Sequence, residues 1–144
     1  WKRWMLACSP RPGAGMLAVD TNLIVRYLTG DHPKQSPRAR TLIDGEPIFV
    51  AITVILETEW VLRSTYAYRP ADVARALRAF AGLPTVTIED GAVVATALDL
   101  AEKGMDFADA LHLGKSTHCS GFATFDRKFV KAARASGHES VREA

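Results

Sequence analysis

The chain has 144 residues, 48% of them apolar, enough for one globular domain that folds around its own core. No apolar run approaches the roughly 18–20 residues that a membrane-spanning helix needs, so no membrane association is expected. The formal charge of +2 comes from residues 1–15, which carry three bases and no acid; the remaining 15 bases face 16 acids, a balance of −1. Net charge therefore argues neither for nor against a nucleic-acid partner.

The two cysteines, Cys8 and Cys119, lack the spacing of metal ligands. Unpaired cysteines of this kind are typical of a reducing compartment, and we expect a cytoplasmic protein. Residues 1–15 combine basic residues with Pro10, Pro12 and two glycines, a pattern that does not continue into the rest of the chain. We predict a disordered or upstream-start extension over 1–15 and one domain over 16–144, with Met16 as the natural start.

From Met16 onward, short apolar runs alternate with helical segments. Strands are predicted at 17–19, 48–51, 86–88 and 122–124, with a short edge strand after Gly137. Helices are predicted at 22–28, 36–43, 53–66, 70–81, 90–103, 106–118 and 127–135, with Ser36 and Thr53 as N-caps of two of them. This alternation predicts a three-layer α/β/α sandwich around a central, mostly parallel sheet of four to five strands.

Four acidic residues stand where core-building segments meet a turn or a helix: Asp20, Glu57, Asp109 and Asp126. A buried carboxylate costs several kcal/mol, on the order of 3–5 when it is left without a partner, unless a positive group offsets it. If the four converge, they need a divalent cation, and an oxygen-only cluster suits Mg²⁺ or Mn²⁺.

Each acid also has an ordinary structural explanation. Asp20 and Asp126 can be N-caps of the helices that follow them, and Asp106 with Asp109 matches a capping box. Asp20, Asp106, Asp109 and Asp126 can therefore be either helix-capping residues or metal ligands.

Helix 53–66 distinguishes its two glutamates. At about 100° per residue, Thr53, Glu57 and Ser64 share one polar stripe, which predicts that Glu57 faces a wet cleft. Glu59 points elsewhere and can form an ion pair with Arg63 at i+4.

Placement along the sheet supports a site. Ligands of open α/β sheets bind beyond the carboxyl ends of parallel strands, and Asp20 and Asp126 follow two predicted strands. The neighbouring Thr21, Asn22 and Thr124 could orient ligands or bound waters around them.

Four motifs together resemble the PIN-domain nucleases, and more narrowly the VapC-type ribonuclease toxins of bacterial toxin–antitoxin pairs. They are Val-Asp-Thr-Asn at 19–22, Leu-Glu-Thr-Glu-Trp-Val-Leu at 56–62, Asp-Phe-Ala-Asp-Ala-Leu at 106–111 and Thr-Phe-Asp at 124–126. The resemblance implies that the catalytic and metal-binding residues are Asp20, Glu57, Asp109 and Asp126. It places Asp106 at an accessory acidic position and Thr124 at the hydroxyl position beside the fourth acid.

The resemblance further implies a metal-dependent endoribonuclease with one or two Mg²⁺ or Mn²⁺ ions. Toxins of this kind form homodimers and are inhibited by a protein antitoxin. A basic run of Arg127, Lys128 and Lys131 directly after Asp126 could bind RNA phosphates, or it could be a solvated helix face. Alternatives to a toxin are a PIN nuclease of RNA processing or decay, a non-catalytic RNA-binding module, and a metal-dependent phosphatase or DNA nuclease.

Overall fold

The protein is described by a computed structural model over residues 12–144, which form seven helices and five short strands. In chain order the elements are β1 (Leu17–Ala18), α1 (Thr21–Thr29), α2 (Gln35–Gly45), β2 (Ile48–Val50), α3 (Ile52–Ser64), α4 (Pro70–Ala81), β3 (Val86–Ile88), α5 (Gly91–Glu102), α6 (Phe107–Lys115), β4 (Phe122–Thr124), α7 (Arg127–Ala135) and β5 (Val141–Glu143). Strands β3 and β4 and helices α4 and α7 have the predicted bounds. The others differ by one to three residues at an end.

The strands pair in parallel, which confirms the predicted α/β class, but they fall into two sheets. One sheet has the order β1-β2-β3, and β4 pairs with β5 in the other. Ile48 pairs with Leu17 on one side and with Val86 on the other, and Phe122 pairs with Val141. Strand β1 has only two residues and pairs with β2 alone among residues 12–144, so no ladder joins the two sheets.

The core lies between the three-stranded sheet and the helices that cross over it. Ile48 and Val50 of the central strand are fully buried, and so are Ile24 of α1, Leu62 of α3 and, within 1%, Phe80 of α4. Each such side chain stabilises the fold by about 1.5–3 kcal/mol relative to exposure. This packing fixes the helices that carry the acidic residues.

Three predicted caps are confirmed, because the side chains of Asp20, Asp106 and Asp126 each accept a hydrogen bond from the first turn of α1, α6 and α7. Two other predicted caps are wrong. Helix α2 begins at Gln35, and the hydroxyl of Ser36 accepts from the amide of His32 instead (3.2 Å).

Thr53 is not a cap either. Helix α3 begins one residue earlier, at Ile52, whose amide donates to the carboxylate of Glu89 at 3.0 Å. Glu89 follows β3, so a residue 37 positions away supplies the acceptor that Thr53 was predicted to supply.

The start of the described chain contacts the sheet. Pro12 to Gly15 form turns, and the amide of Met16 donates to the carbonyl of Gly13 (3.0 Å). Gly13 has a φ of +93° and lies against the ring of Phe49, where a Cβ would come within 2.8 Å. The disordered extension was predicted over 1–15; its residues 1–11 lie outside the described residues, and residues 12–15 form the turns given above. No helix within 12–144 combines the length and apolarity needed to cross a membrane.

A hydrogen-bond network around Asp31 ties the end of α1 to the end of α3. Its carboxylate accepts from Tyr66 (2.7 Å), Thr29 (2.8 Å) and Arg26 (3.0 Å). The Tyr66 and Thr29 hydroxyls, followed by Arg26, lower the pKa of Asp31 to about 2. A folded-state pKa below the unfolded value of about 3.9 contributes stability that is present above pH 4 and is lost as the pH falls towards 2.

We therefore expect Asp31→Asn to lower the Tm at neutral pH and to flatten its decline between pH 4 and 2. Thermal unfolding followed by circular dichroism across this range measures both effects. Glu139→Gln, at an exposed position, is the control and should follow the wild-type curve. Parallel curves for Asp31→Asn and the wild type would show that the network does not set the acid sensitivity.

Candidate active site

A cleft of about 380 Å³ opens among helices α3 to α7. Its wall combines charged and apolar side chains, with Leu98, Met105 and Phe129 among the apolar residues. The charged residues that line it are Glu59, Arg63, Asp106, Asp109, Asp126 and Lys128. The third and fourth acidic motifs of the sequence thus meet in one cleft.

Asp109 is partly buried in this cleft and close to two other acids. Burial raises its pKa most, and the negative charges of Asp106 and Asp126 raise it further, while His112 acts in the opposite direction. The contribution of the two carboxylates indicates that negative charge gathers around Asp109.

Hydrogen bonds at helix N-termini hold two of these carboxylates. Oδ1 of Asp126 accepts from the amide of Phe129, and Oδ1 of Asp106 accepts from the amide of Asp109, both at 3.1 Å. The hydroxyl oxygen of Thr124 in turn accepts from the amide of Asp126 (3.1 Å). Each cap uses one carboxylate oxygen, and the second oxygen accepts no hydrogen bond from the described residues, so capping does not exclude a further ligand.

The candidate acids form no ion pairs within the described chain. Asp20, Glu57, Asp106, Asp109 and Asp126 form no ion pair with any residue of the described chain. Seven other acids do form ion pairs: Asp31, Glu59, Asp72, Asp90, Asp99, Glu102 and Glu143. The four acids that line the cleft outnumber its two bases, Arg63 and Lys128, so a cation from outside the chain would offset the remaining negative charge.

These donors fit a hard divalent cation. Asp109 and Asp126 offer only oxygen, which Mg²⁺ and Mn²⁺ prefer. Within 12–144, no three acidic, histidine or cysteine side chains are gathered closely enough to form a complete metal cage. Mg²⁺ commonly binds one or two carboxylates and completes its shell with water and substrate phosphate, so two carboxylates in an open cleft are sufficient.

Asp20 lies elsewhere, in a separate groove of about 350 Å³ lined also by Asn22, Arg26 and Arg38. Its Oδ1 accepts from the amide of Leu23 at 3.0 Å. The structure therefore does not bring Asp20 into the cleft of Asp109 and Asp126. The predicted role of Asp20 as a metal ligand stays a prediction.

Thr21, beside Asp20, is 8% exposed, and its buried hydroxyl oxygen has no hydrogen-bond partner among the described residues. An unpartnered buried hydroxyl costs about 1–3 kcal/mol. The first turn of α1 therefore retains a polar group that a ligand or water could satisfy, next to the free oxygen of Asp20. Asn22 is exposed on the rim of the same groove.

The two glutamates of α3 are placed differently from expectation. Glu57 is exposed, as are Thr53 and Ser64, so the predicted polar stripe faces solvent and lines neither the cleft nor the Asp20 groove. Glu59 is 4% exposed and lies on the cleft wall. Its predicted ion pair with Arg63 is confirmed. The catalytic role of Glu57 stays a prediction.

The basic residues after Asp126 differ in their surroundings. Lys128 lines the cleft, Arg127 pairs with Glu143 at 2.9 Å, and Arg134 donates to the carbonyl of Val141. Lys131 is exposed and forms no ion pair with the described residues. Lys128 is thus the cation of the run with direct access to the cleft.

Sequence reasoning missed two features of this region. Arg63 was predicted only as the partner of Glu59, yet it lines the cleft. Phe125, between Thr124 and Asp126, is 84% exposed although an aromatic residue at a strand end is normally buried. Glu59 and Arg63 are four residues apart on one helix, so their side chains lie next to each other. This spacing was the available sign in the sequence that Arg63 lies on the same side of α3 as Glu59.

The fold is α/β, and Asp106, Asp109 and Asp126 share one cleft without an ion pair to any described residue. The PIN domain family matches residues 17–135, most of the chain, and the protein therefore belongs to the PIN domain family. PIN domains are generally nucleases and typically bind divalent metals. No curated protein matches the chain.

We expect Asp126→Asn to separate capping from charge. Asparagine caps helices about as well as aspartate, so the free energy of unfolding should change by less than about 0.5 kcal/mol and the Tm should change little. The affinity for Mn²⁺ should fall by at least about tenfold, because a ligand contributes no less than the groups that orient it. Calorimetric titration measures this loss.

The control is Glu139→Gln, which removes an exposed carboxylate outside the cleft. Equal Mn²⁺ affinity in Asp126→Asn and the wild type would contradict a cation site at Asp126.

Proposed function

We propose that the protein is a metal-dependent endoribonuclease and the toxin of a bacterial toxin–antitoxin pair. The observation that carries the nuclease assignment is the group of carboxylates at Asp106, Asp109 and Asp126, which share one cleft of a PIN domain and form no ion pair with any described residue. The toxin assignment rests on the four sequence motifs that resemble VapC-type toxins.

Hydrolysis of a phosphodiester requires an activated water, neutralisation of the phosphate and stabilisation of the leaving oxygen. A bound Mg²⁺ or Mn²⁺ lowers the pKa of water and offsets phosphate charge. Asp109 and Asp126 would hold the cation, with Asp20 and Glu57 contributing as the motif resemblance implies. Asp106 and Thr124 orient these acids through the hydrogen bonds to the Asp109 and Asp126 amides.

Two features beside the acids favour a nucleic acid over a small phosphate ester. Phe125 presents an 84% exposed ring directly before Asp126, and Lys128 adds a cation to the cleft wall. Exposed aromatic rings stack on unpaired bases and lysines contact the backbone, which is the usual combination in single-strand binding. We therefore propose single-stranded RNA, or an unpaired RNA loop, as the substrate.

The proposed partners are a second copy of the chain and a protein antitoxin. Trp60 of α3 is 58% exposed, and a second copy of the chain could cover its ring. Phe80, another large aromatic residue, is already buried in the core and is not available for such an interface. An antitoxin arginine would pair well with the unneutralised acids of the cleft. We propose that the toxin acts in the cytoplasm, where its RNA substrates are.

The purified chain should cleave single-stranded RNA with Mg²⁺ or Mn²⁺ and should lose activity in EDTA. Asp109→Asn should lower the cleavage rate by at least about a hundredfold, because it removes a charge that acts on the transition state. A panel of fluorescent RNAs measures both rates, and Glu139→Gln is purified in the same way as the control.

Full activity of Asp109→Asn at saturating Mg²⁺ would contradict the assignment of the site. Cleavage of DNA or of a phosphate monoester at a rate equal to that of RNA would contradict the substrate assignment.

We further expect Phe125→Ala to raise KM for single-stranded RNA about tenfold, because a stacked base contributes about 1–3 kcal/mol. The Tm should not fall, since the ring is exposed. Phe125→Trp, which keeps an aromatic face, should retain the wild-type KM. Equal KM values for the alanine and tryptophan variants would show that Phe125 does not stack on RNA.

A further inference from the structure

Glu59 and Arg63 form an ion pair on the wall of the acidic cleft, in which Glu59 is buried and Arg63 is partly exposed. The Glu59 side chain is 5% exposed, and both its oxygens accept from Arg63, one from Nε and the other from Nη2 at 2.9 Å. This bidentate contact fixes the plane of the guanidinium group, because the buried glutamate has little freedom to move.

Arg63 still has donors to offer. Its side chain is 38% exposed, and Nη1 donates to no acceptor within residues 12–144. The group lines the same cleft as Asp109, Asp126 and Lys128, so its exposed edge borders the carboxylates. A guanidinium held on one side by a buried carboxylate and open on the other is a preorganised receptor for a second anion.

We propose that Arg63 binds a backbone phosphate of the RNA substrate and that Glu59 is the positioning residue that holds it. This inference rests on the proposed function, since it names a contact to the same substrate. A cleft rich in carboxylates repels a polyanion. A fixed cation on α3, together with Lys128 on α7, allows the RNA backbone to approach the carboxylates.

The alternative is a purely structural ion pair that stabilises α3 and does not contact the substrate. An i,i+4 pair satisfies both groups without needing a cleft, but 38% of the arginine then remains exposed with Nη1 unused. The two roles predict different behaviour when the pair is replaced as a unit. The double variant Glu59→Gln/Arg63→Gln keeps two polar side chains that can hydrogen-bond and leaves no buried unpaired charge.

The test measures binding of a fluorescein-labelled single-stranded RNA by anisotropy, from about 50 to 200 mM KCl. We expect the Kd of the double variant to rise about tenfold, and the slope of log Kd against log salt to fall by about 0.7, the value for one single-strand phosphate contact. Arg63→Lys, which keeps the charge, should restore the slope and part of the affinity. Arg75→Gln, an exposed arginine outside the cleft that pairs with Asp72, is the control and should leave both unchanged.

A second measurement needs no variant. Phenylglyoxal labels exposed arginines of the wild-type chain, and peptide mass spectrometry gives the rate at each one. RNA should slow labelling severalfold at Arg63 and leave the rate at Arg75 unchanged.

Wild-type Kd and slope in a folded double variant would overturn the proposal, as would equal labelling of Arg63 with and without RNA. If the wild type itself neither binds nor cleaves RNA, both this inference and the proposed function fall. Wild-type cleavage with unprotected Arg63 overturns this inference alone.

Discussion

Hydrogen bonds between carboxylate oxygens and the first amides of helices fix the acidic side chains, and the candidate site depends on them. Asp20, Asp106 and Asp126 each cap a helix with one oxygen. The positive end of the helix offsets part of the carboxylate charge, by about 0.3–1 kcal/mol each. A cap thus orients an acid. Capping and cation binding use different oxygens and do not compete.

The offset is incomplete, and Asp109 shows where. It lies within the first turn of α6 but caps nothing, and burial together with Asp106 and Asp126 raises its pKa. Seven other acids form ion pairs with arginine or lysine, whereas these acids form none. A cleft that gathers three carboxylates without an ion pair accepts a local loss of stability that a cation would reduce.

Much of the fold could be predicted from the sequence because local patterns determine it. Alternating apolar runs gave the parallel α/β class, and the acid-before-helix pattern gave three caps. Long-range contacts could not be predicted in this way. Ser36 and Thr53 have the right chemistry for caps, but the amide at the start of α3 bonds to Glu89 of a distant strand end. The separation of β4 from β1 likewise depends on how few backbone groups a two-residue strand offers.

The site was less predictable than the fold, because a helical wheel gives the angle between residues and not which side faces a cleft. Asp109 and Asp126 meet as their motifs implied, whereas Asp20 lies in another groove. Packing of α3 against α1 and α6 turns Glu59 inward and Glu57 outward. The apolar residues that decide this rotation come from three elements, which no single segment encodes.

Charge and position consequently select different residues on α3. Glu57 is the free carboxylate, and Glu59 occupies the cleft wall but is already neutralised by Arg63. For Glu59 to bind a cation it would have to release the arginine that now donates to both its oxygens. The cleft face of α3 therefore offers the free edge of the Arg63 guanidinium rather than another cation ligand. In the RNA complex that we propose, Arg63 on α3 and Lys128 on α7 would meet the backbone phosphates.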